Sequence, residues 1–137
     1  LDNGSKVMVP PFVGQDEGHG NQDLTQAVME GVAFALADSL LALRATGARI
    51  DRVIATGGGA ASPFWVSTLA YTLIVPVDRP DGAGFGAALG AARLAKGGPY
   101  AKPTIGRTVD PDATLTDLYA AIHATFRRLY PALKETT

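Results

Sequence analysis

Val53-Ile-Ala-Thr-Gly-Gly-Gly-Ala-Ala-Ser-Pro63 joins a short β-branched run to three consecutive glycines and then to a Ser-Pro pair. The apolar run from Arg52 to Thr56, bounded by turn residues, predicts a strand buried on both faces of a parallel sheet. Ser62 suits a helix N-cap. Pro63 suits the first helical position, where its missing N–H would have been unpaired in any case. A helix is therefore expected from this pair to about Leu73. Ligands of α/β sheets bind beyond the carboxyl ends of strands, where glycine admits a close backbone approach and a helix N-terminus offers N–H donors. The glycine turn between this strand and the capped helix is thus placed where a nucleotide could lie. The pattern by itself equally permits a plain tight turn with Ser62 as an ordinary cap. It has neither the Gly-x-Gly-x-x-Gly spacing of a dinucleotide fingerprint nor the Gly-Lys-Ser/Thr ending of a P-loop.

Upstream, Val7, Val9, Phe12 and Val13 surround Pro10 and Pro11 and read as an edge strand. The polar, glycine-dense run from Gly14 to Gly20 reads as a loop. Asp23 and Gln26 then predict a capped helix start, with the helix running from Leu24 to Ala45 and Gly47 as its stop. Its stripe of Val28, Val32, Leu36, Leu40 and Leu43 is expected to face the core. Downstream, a strand is expected from Ile74 to Asp78, and a turn over Arg79-Pro80-Asp81-Gly82. A small-residue helix should follow from Ala83 to Ala95, then a proline-rich connector from Gly97 to Asp112. Leu115, Leu118, Tyr119, Ile122, Phe126, Leu129 and Leu133 mark a final amphipathic helix, with Arg127, Arg128 and Lys134 on its polar side and Pro131 disturbing its last turns. The alternation of strands and helices points to an open α/β sheet.

The sequence of 137 residues is 47% hydrophobic, which suits one domain with a substantial core. Twelve basic residues against 13 acidic ones leave a net charge of −1, so no basic field exists to attract nucleic acid. Cysteine is absent, which removes disulfides and thiolate chemistry and favours a cytoplasmic reading. The apolar stretch from Val32 to Leu43 is broken by Asp38 and Ser39 and is short of the ~20 residues a membrane span needs, so no membrane is expected. Position 1 is Leu, and the sequence is expected to be part of a longer polypeptide.

His19 and His123 are too few to assemble a zinc site without cysteine, so no metal is expected. Asp38 within an apolar helix is expected to be paired or solvent-facing, and nothing links it to Glu30. No Ser-His-Asp set or glycosidase-like carboxylate pair is evident. Gly86 and Gly90 share one helix face at a cost of order 1 kcal/mol each against Ala, which implies a close neighbour. Phe64 and Trp65 are read as core, with a base-stacking wall as the alternative.

Three blocks carry a resemblance: Glu30-Gly-Val-Ala-Phe-Ala-Leu-Ala-Asp-Ser-Leu40, Ala55-Thr-Gly-Gly-Gly-Ala-Ala-Ser-Pro-Phe-Trp65 and Gly86-Ala-Ala-Leu-Gly-Ala-Ala-Arg-Leu-Ala95. In this order the chain resembles the C-terminal domain of FGGY carbohydrate kinases, most closely the xylulokinase branch. Phe126-Arg-Arg-Leu-Tyr130 is similar to the family's closing helix. The resemblance implies an actin-like, ribonuclease-H-like α/β fold with a mixed sheet flanked by helices, residues 1–137 forming the nucleotide-side domain. It further implies that ATP, accompanied by Mg2+, lies with its adenosine against Gly57, Gly58, Gly59, Ala60 and Ser62. The sugar contacts and the catalytic aspartate belong to an N-terminal domain outside this sequence, so no catalytic residue is expected here. The implied activity is γ-phosphoryl transfer to a sugar hydroxyl, with xylulose as the expected acceptor, no activity in this portion alone, and a homodimer as one possible assembly. A noncatalytic nucleotide-binding or interaction module is the competing reading, and a purely structural domain the third. The family commonly has Gly where Ile74 stands, Asp where Tyr71 stands, an acidic residue at Gly84 and basic residues at Ala61 and Val66. It also continues from Gly14 into a longer loop.

Overall fold

The computed structural model describes residue 18 and residues 20–134. The expected strand over residues 7–13, most of the 14–20 loop with His19, and chain continuity across that loop lie outside the described residues.

The first helix, α1 (Asn21–Ala45), starts earlier than the sequence suggests, with Gly20 as its N-cap. Asp23 does not cap it. It sits in the first turn, where its carboxylate accepts the Gly20 N–H at 2.9 Å and complements the positive end of the helix. Gln26 does not reach back either; its amide donates to Glu30 at 2.7 Å, one turn onward. Gly47, at φ 89°, ends the helix as expected. The expected core stripe is a correction: Val28, Val32, Leu36 and Leu43 are exposed, and the buried face is Ala33, Phe34, Ala37 and Leu40. Alanines at i and i+4 let α1 approach its neighbour closely. By length and composition alone α1 could cross a membrane. Its buried face is instead part of the core, against the helices described next.

The sheet has the order β1–β2–β3: β1 (Val53–Ile54) pairs parallel with β2 (Val77–Pro80), which pairs antiparallel with β3 (Ile105–Val109). β1 is not buried on both faces: Val53 is half-buried and Ile54 exposed. β2 begins later than expected. Ile74 caps the preceding helix in the left-handed region at φ 54°, and Arg79 and Pro80 extend the strand, leaving Asp81-Gly82 as the turn. β3 was expected to be part of the connector. Buried Asp78 ties this sheet together, accepting from Arg52 at 2.7 Å and from Thr108 of β3 at 2.6 Å.

The second helix, α2 (Pro63–Leu73), matches its expected bounds. It is the centre of the packing, meeting α1 on one side and the sheet and the closing helix on others. The small-residue segment opens as a 3₁₀ turn (Ala83–Phe85) and continues as α3 (Gly86–Lys96). The closing helix, α4 (Ala113–Lys134), is capped by Asp112, whose carboxylate accepts the Leu115 N–H at 3.0 Å, and it contains Pro131. Of its apolar stripe, Tyr119 is buried and Leu118 exposed. Phe34 of α1 anchors it, stacking on His123 at 5.3 Å and meeting Tyr119 and Phe126 at tilted angles of 54° and 43°. Asp38 is paired, accepting from His123 at 3.1 Å and Arg127 at 3.2 Å. The result is a mixed sheet flanked by helices, as the resemblance implies.

Candidate nucleotide site

The glycine turn leaves β1 and reverses over a 3₁₀ turn (Gly58–Ala61) into α2. The three glycines differ in their local surroundings. Gly57 has φ 93°, a conformation unfavourable to other residues, and its N–H donates to the Ala83 carbonyl at 2.7 Å. A Cβ at Gly59 would lie 3.3 Å from the Trp65 indole, tight enough that the half-buried tryptophan would have to give by a few tenths of an ångström. Gly58 has an ordinary φ and nothing within 4 Å of where a Cβ would stand. The fold therefore accounts for Gly57, crowds Gly59 and leaves Gly58 open.

Ala60 is 2% exposed, main chain and methyl together, and belongs to the core. Ser62 caps α2, its hydroxyl oxygen accepting the Trp65 N–H at 3.3 Å. That role occupies a lone pair and leaves its proton free to donate outward. Trp65 packs against the core, whereas Phe64 is exposed.

The neighbouring wall comes from residues the sequence reading did not assign to the turn. The Ala83–Phe85 turn lies against the Gly58–Ala61 turn, joined by the Gly57 to Ala83 hydrogen bond. Gly86 rests on Thr56: a Cβ there would be 2.8 Å from the Thr56 Cβ. Phe85, the last residue of the Ala83–Phe85 turn, is 76% exposed. The two Gly-rich blocks thus adjoin, with open space where a Cβ would stand at Gly58 and at Gly84. Spacing could not show this, because the blocks are separated by α2 and β2 in sequence. Glu30, Asp38 and His123 lie elsewhere, between α1 and α4. Among the described residues no group of three or more His, Asp or Glu could hold a metal ion.

At the α1–α4 contact Tyr119 donates to Glu30 at 3.0 Å. Burial raises its phenol pKa above the ordinary value of 10.0, and the hydrogen bond to Glu30 raises it further.

A turn of this kind between a parallel strand and a capped helix is the arrangement α/β proteins use to meet nucleotides. The solved structures it resembles are kinases. A "xyloylose kinase" from Brucella ovis superposes with a TM-score of 0.76 at 38% identity, over 92% of this chain and 28% of that one. A gluconate kinase from Lactobacillus acidophilus gives 0.69 at 25% identity, over 89% of this chain and 26% of that one. Residues 2–96 match the family described as FGGY family of carbohydrate kinases, C-terminal domain, and the chain belongs to that family. It is similar to the xylulose kinase of Escherichia coli K12, 36% identical over 131 residues, which are 89% of this chain and 27% of that protein. The chain therefore spans about a quarter of the relatives it matches.

Proposed function

We propose that residues 1–137 are the nucleotide-side domain of a sugar kinase, in which ATP donates its γ-phosphoryl group to a sugar hydroxyl. The observation that carries this reading is the open main chain at Gly58, whose lack of a side chain nothing in the fold requires, in a turn that lies against the Ala83–Phe85 turn. Adenosine would lie along the turn of Gly57, Gly58, Gly59 and Ala60, with the Ser62 hydroxyl beside it. The nucleotide brings Mg2+ with it. Phosphoryl transfer depends on positioning and charge neutralisation, so this domain holds ATP while the remainder of the polypeptide supplies the sugar contacts and the base. The similarity to xylulose kinases supports xylulose as acceptor. The similarity to a gluconate kinase as well is consistent with sugar choice residing outside this domain. The absence of cysteine and the kinship with bacterial sugar kinases support a cytoplasmic enzyme.

The test is phosphoryl transfer by the full-length gene product, with labelled ATP and a panel of sugars. Xylulose-dependent transfer is expected. Transfer to another sugar alone refutes the xylulose assignment, and nucleotide binding with no transfer to any sugar supports the noncatalytic module instead.

A further inference from the structure

The closing helix α4 carries two rows of apolar side chains, and α1 and α2 occupy only one of them. In the first row Tyr119, His123 and Phe126 meet the rings of Phe34 and Tyr71. The second row is Leu115, Leu118, Ile122 and Leu129, with Thr125 completing the alternating spacing of three and four residues that marks a helix-pairing seam. Leu115 and Ile122 are 37% exposed and Leu118 is 53% exposed. Single exposed apolar residues are ordinary, but a row of them along one helix marks a surface that a partner covers. At about 100° per residue, the flank of this row turned away from Tyr119 and His123 holds Asp117 and Arg128. Both are exposed, and among the described residues neither has an ion pair. Arg127, on the flank toward α1, is held by Asp38 of the same chain. Arg128 is instead drawn along the row, donating to the Thr125 hydroxyl at 3.2 Å.

We infer that this second row is where another copy of the polypeptide docks, through its own α4 and in antiparallel orientation. A two-fold axis near Ile122 lays each row upon the other, as a self-complementary contact requires. Asp117 lies five residues before Ile122 and Arg128 six residues after it. In an antiparallel pair the same flanks of the two helices adjoin, so Asp117 of each copy comes beside Arg128 of the other and two ion pairs border the apolar contact. A parallel pair would set Asp117 against Asp117 and Arg128 against Arg128, which like-charge repulsion opposes. Opposite charges at matched distances from the centre of the row are what distinguish a second copy from an unrelated apolar partner. The row is ~21 Å long, so the helix pair lies at the small end of specific interfaces and the dimer depends on protein concentration. The inference goes beyond the nucleotide reading and does not rest on it.

Sedimentation velocity of the full-length protein between ~1 μM and ~100 μM tests the contact. A dimer is expected within that range. Leu118→Glu, at a half-exposed position, is expected to weaken it at least about tenfold with an unchanged circular dichroism spectrum. Asp117→Arg and Arg128→Asp are each expected to weaken it, and the two together to restore it, because the exchange leaves opposite charges facing one another. A monomer throughout the range overturns the inference. So does a dimer that Leu118→Glu leaves intact, or a doubly exchanged protein that associates no more tightly than either single variant. Cover supplied by the rest of the same polypeptide would show instead as a lowered melting temperature of monomeric Leu118→Glu with no change in association, which also overturns it.

Discussion

Ile74 occupies a left-handed conformation, φ 54° and ψ 44°, in order to end α2, its N–H donating to the Ala70 carbonyl at 3.1 Å. A β-branched residue there costs about 1–2 kcal/mol, and half its side chain faces solvent, so little burial is lost on removing it. Ile74→Gly is expected to stabilise the protein by about 1 kcal/mol in urea unfolding, the glycine entropy term taking back part of the gain. Gly86 has the opposite sign. Alanine is the better helix former, but its methyl would collide with Thr56, so Gly86→Ala is expected to destabilise by about 1–3 kcal/mol, measured the same way. Tyr119 carries a pH dependence. Its pKa is raised in the fold, so the neutral phenol's contribution is fully present below about pH 10 and is lost as pH rises through the folded value. Thermal unfolding should show an alkaline limb that Tyr119→Phe flattens.

Among elements, α2 was readable from sequence because Ser62 and Pro63 are local signals that act locally. The N-cap hydrogen bond predicts a loss of about 1 kcal/mol for Ser62→Ala. β3 was not readable. Ile105-Gly-Arg-Thr-Val109 has no apolar alternation, because four of its five residues are exposed and only pairing with β2 makes it a strand. The anchor of that pairing is Asp78, and the order of its partners can be tested. Arg52→Ala leaves a buried carboxylate with Thr108 alone, whereas Asp78→Asn leaves a guanidinium that reaches water, so the arginine change should cost more, by about 1–2 kcal/mol, in denaturant melts. The stripe on α1 was misread for a different reason. Val28, Val32, Leu36 and Leu43 are more apolar than the alanines actually buried, and hydrophobicity marks a face that wants covering without saying what covers it.

At the scale of the molecule, the order strand, glycine turn, capped helix was legible, and so was the family. The wall formed by the Ala83–Phe85 turn was not, because its position depends on the Gly57 to Ala83 hydrogen bond and on Thr56 lying under Gly86, both contacts between distant parts of the chain. The same geometry separates three glycines that look alike in sequence: Gly57 has a positive φ, Gly59 lies against Trp65, and Gly58 has open space where a Cβ would stand. The most direct measurement is the ATP affinity of full-length Gly58→Val by titration calorimetry, with circular dichroism as the check on folding. The account predicts at least about a tenfold weakening, ~1.4 kcal/mol, with an unchanged spectrum and an unchanged melting temperature. Undiminished ATP affinity in a folded Gly58→Val protein would contradict it.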